Sequence, residues 1–306
     1  MQRVLLPRLL THLTHTRAFA SMTQMHPLAR SGFDASGASG LYDRARPSYP
    51  PQAIEALLAA PQPPVAAGAR FKIAELGSGT GICTRVLLDT LGSARLERLT
   101  AVEPSAGMRE GWETAVRPLA ERAAGDAQVQ CIEGSFENFD AGSDNDIVLV
   151  AQAWHWTRDF DGAIAECAKA LRPGGVLALL WNLEDRDGAA WVGGVRDLYE
   201  VYEAGTPQYR HMYWREPTNN SPSMAAFEKL EPQHWTRTIP TTVEGVKDRI
   251  LSKSYITVSP KDEQEKLAAN VEKLLTDEKT EKTWINKEEG TFEYPYRTDL
   301  HLYRKK

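Results

Sequence analysis

Two rhythms of apolar residues alternate along the first two thirds of the chain. Short apolar runs at 73–76, 99–102, 129–132, 146–151 and 176–181 suit strands, and the almost wholly apolar run at 146–151 suits one buried on both faces. Between them, Ile82, Val86, Leu87 and Leu91 recur at helical spacing, as do Ile164, Cys167, Ala168 and Leu171. Residues 105–124 are helical in composition. Strands alternating with helices predict a parallel sheet with helices on both faces. Upstream, Pro50 and Pro51 open a helix with Ile54, Leu57 and Leu58 on one face. Residues 34–40 read as a Gly/Ser/Ala linker, and the prolines of 42–50 predict an extended segment.

Past Asn182 the regularity fades. Trp191, Val195, Leu198 and Tyr202 fit one helical stripe, and 217–223 read as a loop. A strand is expected within 230–240. Thr241 with Glu244 forms a capping-box pattern ahead of Val246 and Ile250. Ser259-Pro260 starts a helix carrying Leu267, Val271, Leu274 and Leu275. Phe292, Tyr294, Tyr296, Thr298, Leu300 and Leu302 alternate with polar residues, the period of a closing strand.

Hydrophobic residues make up 42% of the 306 and charged residues 25%, the balance of a soluble globular protein. A net charge of −5 argues against nucleic-acid binding. No apolar run approaches the roughly 18 residues that cross a bilayer. Cys83, Cys131 and Cys167 lack metal-type spacing, and the pair His12 and His15 has no cysteine or acid nearby, so no metal is expected. Residues 1–33 differ from the rest: they hold Arg3, Arg8, Arg17 and Arg30 and no acid. This N-terminal extension reads as a mitochondrial transit peptide. The alternatives are a disordered extension, or initiation at Met22 or Met25, which would leave a cytoplasmic protein.

Candidate chemistry centres on Glu75-Leu76-Gly77-Ser78-Gly79-Thr80-Gly81, a strand end followed by three glycines. The dinucleotide fingerprint needs its third glycine at the position of Ile82, and no Walker lysine follows, so a pyrophosphate site is disfavoured. Glu75 would repel phosphate but could orient an ammonium group. Glu103, ending the next strand, is placed to accept from a ribose diol.

Glu75–Gly81, Val102-Glu103-Pro104 and Leu171-Arg172-Pro173-Gly174-Gly175 resemble class I S-adenosylmethionine-dependent methyltransferases. Tyr42–Pro50, Gln152-Ala153-Trp154-His155-Trp156 and Tyr294-Pro295-Tyr296-Arg297-Thr298 narrow the resemblance to the type-11 small-molecule subgroup that includes trans-aconitate methyltransferase-like proteins. The resemblance runs from about Tyr42 to Tyr303. It implies a Rossmann-like three-layer α/β sandwich: a mostly parallel seven-stranded sheet, an antiparallel final strand and a helical lid insert. The methyltransferase domain would span 34–306, with a cofactor-binding core at 71–182, a lid or substrate insert at 183–228, and strands and helices completing the sheet at 229–306.

The resemblance also implies S-adenosylmethionine as cofactor and assigns roles. Gly77 and Gly79 would admit the methionine part and Glu75 its amino group. Tyr42 and Arg46 would cover its carboxylate. Glu103 and the adjoining Pro104 would hold the ribose side, and Met108, Ser135 and Phe136 the adenine. Ser135 departs from an often acidic position. Ala151 and Gln152 would lie beside the sulfonium. His155, just past the fourth strand, is the candidate general base for an acceptor that carries a proton. A carboxylate acceptor would need no base, and Arg44, Arg46, Arg210 and Arg297 are the candidate cations for it. The aromatics of 191–214 fit lid packing or a substrate cage. Alternation predicts that His155 faces away from Trp154 and Trp156. The acceptor is expected to be a small molecule and the protein a monomer or homodimer. A non-catalytic S-adenosylmethionine-binding protein and an NAD(P)-dependent oxidoreductase remain the alternatives.

Overall fold

The computed structural model describes residues 38–306; the extension 1–33, with Met22 and Met25, lies outside them. Five parallel strands form the centre of one sheet: β1 (Phe71–Leu76), β2 (Leu96–Val102), β3 (Gln128–Ile132), β4 (Asn145–Ala151) and β5 (Leu171–Glu184), in the order β3-β2-β1-β4-β5. The long closing strand β9 (Thr291–Lys305) joins β5 antiparallel. Its outer edge is covered by β6 (Phe227–Lys229) and β7 (Gln233–Thr241), also antiparallel. The predicted seven positions across the sheet are therefore filled, but by nine segments. The edge position is interrupted between β6 and β7, where only the Leu230 amide still donates to Leu302. A short arm, β8 (Trp284–Asn286), pairs with the start of β9.

Alternation along β4 builds the three layers. Ile147 and Leu149 face Leu57 of α2 (Pro51–Ala59), Leu87 of α3 (Ile82–Arg95) and Trp112 of α4 (Ala106–Ala123). Val148 and Val150 face the other way, toward Ile164 and Cys167 of α5 (Phe160–Ala170) and toward Trp154. A third apolar cluster lies under a helical cap. Trp191 and Val195 of α6 (Ala190–Glu200), Val246 and Ile250 of α8 (Val243–Leu251), and Leu267 and Val271 of α10 (Lys261–Thr276) close over Phe292, Tyr294 and Tyr296. The cap thus draws on 243–276 as well as on the predicted insert 183–228.

Several local expectations change. From Ala38 on, the end of the expected linker and the first residues of the expected extended segment form a helix instead, α1 (Ala38–Ala45), while 34–37 lie outside the described residues and 46–50 carry no helix. The helix α1 is held down from outside, the Thr80 hydroxyl and the Arg85 guanidinium both donating to Asp43, at 2.8 and 2.7 Å. Leu171 begins β5 rather than ending a helix. Thr242, not Thr241, caps α8, its hydroxyl accepting from the Gly245 amide at 3.1 Å. Ser259 donates back to the carbonyl of Tyr255 in a one-turn helix, α9 (Ser254–Thr257), and α10 starts behind Pro260. The predicted loop at 217–223 contains the end of a short helix, α7 (Arg215–Asn219).

Gly81 shows why the third glycine of the loop stands where it does. Its φ is +81°, and a Cβ there would sit 2.4 Å from Val116 Cγ2 and 2.7 Å from Trp112 Cδ1. The glycine lets α3 start against α4. Gly81→Ala combines left-handed strain with overpacking and is expected to cost about 2–4 kcal/mol. Urea unfolding checks this; an unchanged midpoint would refute it.

Candidate active site

β1 ends at Leu76, and the chain turns over Gly77 at φ +68°, where a Cβ would meet Ala153 Cβ at 2.7 Å. The loop therefore lies close against the end of β4. Two carboxylates flank it. Glu75 is 1% exposed; the Thr84 hydroxyl donates to its Oε2 at 2.5 Å, and its Oε1 is buried with no partner among the described residues. Burial pushes its pKa up to about 7, against the hydrogen bond from Thr84. Glu103 is 5% exposed and accepts from the amides of Gly79 and Ser105, each at 2.9 Å. It joins the glycine loop to the start of α4.

A cleft of about 420 Å³ opens at the loop, lined among others by Tyr42, Arg46, Glu75, Gly77, Ala151 and Gln152. These are six of the residues expected to hold a cofactor. Gly79 and Glu103 lie next to it, bonded to each other. Pro104, Met108, Ser135 and Phe136 do not line it. Met108 is buried in the first turn of α4, its amide donating to the Ser105 hydroxyl. The Pro104 carbonyl accepts from Arg109. Ser135 pairs through its backbone with Asn138, and Phe136 stands edge-on to Trp154 at 5.8 Å. Arg46 stacks over the Tyr42 ring at 4.1 Å and donates from Nη2 to the Ser252 carbonyl, and its Nε is buried without a partner among the described residues.

A second cleft of about 660 Å³ adjoins the first and shares Tyr42, Arg46, Gln152 and Arg249 with it. Five cations line it (Arg46, Arg196, Arg210, Arg249 and Lys253) against two carboxylates, Glu184 and Glu203. Of the cations expected from sequence, Arg46 and Arg210 are present. Arg44 is instead exposed and paired with Asp248 at 3.2 Å, and Arg297 is paired with Asp299 at 2.7 Å; neither lines this cleft.

Arg196, Arg249 and Lys253 were missed because helices of the cap deliver them. Arg249 Nη2 lies 2.8 Å and Lys253 Nζ 3.1 Å from the same Glu184 oxygen. Burial opposes the Glu184 charge, but the two cations outweigh it and hold its pKa well below the carboxylate range. One carboxylate cannot compensate two buried cations. The lysine is the one that can release a proton, and burial, with Arg249 beside it, brings its pKa down to about 7.

A family model described as a methyltransferase domain matches residues 74–179. An uncharacterized methyltransferase of Mycobacterium tuberculosis is 33% identical over 240 residues, covering 78% of this chain and 84% of that protein. The chain belongs to the class I S-adenosylmethionine-dependent methyltransferases. An uncharacterized methyltransferase of Schizosaccharomyces pombe is 26% identical over 241 residues, covering 76% of this chain and 84% of that one. A solved structure described as a type II methyltransferase from Anaeromyxobacter dehalogenans shares the fold, with a TM-score of 0.53 and 19% identity over 85% of this chain and 97% of that one.

In this methyltransferase, His155 lines the second cleft. It does not face away from Trp156: 154–156 form a 3-10 turn instead of an extended segment, and the two rings lie 5.2 Å apart. The Trp181 indole nitrogen lies 3.2 Å from His155 Nδ1. Burial, with the Arg46 charge adding to it, lowers the imidazole pKa to about 3. The methyltransferase therefore presents a neutral His155 at neutral pH. Among its described residues, no cluster of three His, Cys, Asp or Glu side chains is placed to hold a metal. No helix among them is long and apolar enough to cross a membrane.

Proposed function

We propose that this methyltransferase moves the methyl group of S-adenosylmethionine to a carboxylate oxygen of a small-molecule acid. The observation that carries the reading is the excess of cations in a cleft that meets the glycine-loop cleft at Arg46 and Gln152. The residues fit the cofactor chemically. The unpaired Glu75 oxygen suits an ammonium, the unpaired Arg46 Nε a carboxylate, and the two oxygens of Glu103 a ribose diol. Pro104, Met108, Ser135 and Phe136 would border the nucleoside, and Gly77, Gly79, Ala151 and Gln152 the sulfonium end, with Tyr42 as a cover. The cofactor supplies an electrophilic methyl group. The protein's part is to hold the acceptor in line with it and to exclude water. The trans-aconitate-like resemblance points to the same class of acceptor.

Calorimetric titration separates this reading from the oxidoreductase alternative. S-adenosylmethionine should bind and NADH should not; the reverse result would sink the proposal. A pH dependence follows from Lys253. Below about pH 7 its ammonium is present, and above it the charge is lost. Losing a charged hydrogen-bond donor should raise KM for an anionic acceptor about tenfold between pH 6 and 9. Steady-state kinetics at saturating cofactor check this, and Lys253→Met should flatten the profile. A slope unchanged in that variant would contradict the assignment.

A further inference from the structure

We propose that Trp181 fixes His155 as a hydrogen-bond donor to the acceptor, so that the cleft selects acids that arrive already ionised over acceptors that must lose a proton. The selectivity rests on the methyl-transfer reading above; the state of the imidazole does not.

An indole N–H can only donate. At 3.2 Å from Trp181 Nε1, His155 Nδ1 must therefore offer its lone pair. A neutral imidazole has one proton, which then sits on Nε2. Neither ring is free to change this arrangement. Trp181 is fully buried on β5, stacked on Tyr209 at 4.4 Å and on Trp214 at 4.8 Å. His155 is gripped by its 3-10 turn, where the Thr157 amide donates to the Trp154 carbonyl and the Trp154 indole donates to Thr218 Oγ1 at 2.9 Å. His155 Nε2 has no partner among the described residues and is not among the sealed polar atoms, so its N–H is offered to the cleft that the ring lines.

The charged groups around this N–H leave few other bases. Glu184 is tied to Arg249 and Lys253. Glu203 is held by Arg210 at 2.7 Å and by His211 at 3.0 Å. Arg46 cannot accept a proton. Among the described residues that line this cleft, Lys253 is the one rival base.

A carboxylate acceptor needs no base. A lone pair on its oxygen forms the O–CH3 bond as the CH3–S bond breaks, and that bonding pair stays on sulfur. The negative oxygen and the positive sulfonium become a neutral ester and a thioether, and no proton moves. An alcohol or an ammonium acceptor would have to hand a proton to a group that His155 cannot be.

Nitrogen-15 NMR of the whole chain tests the tautomer directly. Between pH 5 and 9, Nδ1 of His155 should show the unprotonated signature and Nε2 the protonated one, without titrating. Trp181→Phe should release the ring to a mixture of tautomers. A protonated Nδ1, or titration inside that range, would overturn the proposal. Turnover gives a second readout that does not depend on the spectrum. His155→Gln places an amide donor near the position of Nε2, and should keep kcat/KM within about threefold, while His155→Ala should lose about tenfold. Equal losses in the two variants would remove the donor role. An acid limb in kcat near pH 7 that survives His155→Gln and vanishes in Lys253→Met would make Lys253 the base, and the selectivity claim would fall. Failure of the methyl-transfer reading would look different: no binding of S-adenosylmethionine with the tautomer intact, which overturns the selectivity alone.

Discussion

If Glu103 holds the ribose as proposed, Glu103→Ala is expected to weaken S-adenosylmethionine binding about 100-fold or more, because the carboxylate also fixes the glycine loop. One oxygen accepts from the Gly79 amide and the other from the Ser105 amide, each at 2.9 Å. In the proposed reading the same carboxylate also accepts from the ribose diol. The alanine variant would lose those bonds and also unpairs the amides that set the loop. Bonds to a charged acceptor are worth about 1.5–3 kcal/mol each. Part of the loss falls on stability, so calorimetry should be paired with a thermal melt. A variant that still melts near the wild type and binds the cofactor with unchanged Kd would place the nucleoside elsewhere.

Glu184→Ala is expected to be the most destabilising single change in the cap, by about 3–5 kcal/mol, since removing one partner leaves buried charge uncompensated. Glu184 is 3% exposed, with Arg249 and Lys253 both on its Oε1. Lys253 can release its proton, but Arg249 stays charged. The pH dependence has a definite sign. The folded pKa of Glu184 lies below its unfolded value of about 4.3, so its contribution is complete above that pH. It is lost as the pH falls from there toward the folded pKa. The gap between wild type and variant should therefore be full at pH 6 and should shrink below about pH 4.3. Urea unfolding at a series of pH values measures it. A gap that grows on acidification would contradict the ion-pair account.

The core of the sheet was legible because its strands are short apolar runs, and buried parallel strands leave that trace whatever surrounds them. The glycine loop was legible too, and the position of Gly81 separated it from a pyrophosphate cradle. The helix over the loop was hidden. Residues 38–45 carry only Leu41 and Tyr42 as large apolar side chains, too few to mark a helical stripe, and what holds them is tertiary, Asp43 meeting Thr80 and Arg85. The cations of the second cleft were hidden for a related reason. Arg249 and Lys253 read as ordinary charges at the end of a helix, and nothing local ties them to Glu184. One signal was available: an acid closing an otherwise apolar strand, as Glu184 closes β5, needs a partner once buried. His155 was found by position, but its chemistry was not. Only the fold brings Trp181, 26 residues away, onto its Nδ1.

The atom to which the methyl group ends up attached identifies the acceptor class. The whole chain should be incubated with methyl-tritiated S-adenosylmethionine and an extract of small metabolites, and the labelled product then treated with mild alkali. A methyl ester releases its label as volatile methanol, and that is the predicted result, dependent on both protein and extract. Label that resists alkali, as on nitrogen, carbon or an ether oxygen, would contradict it.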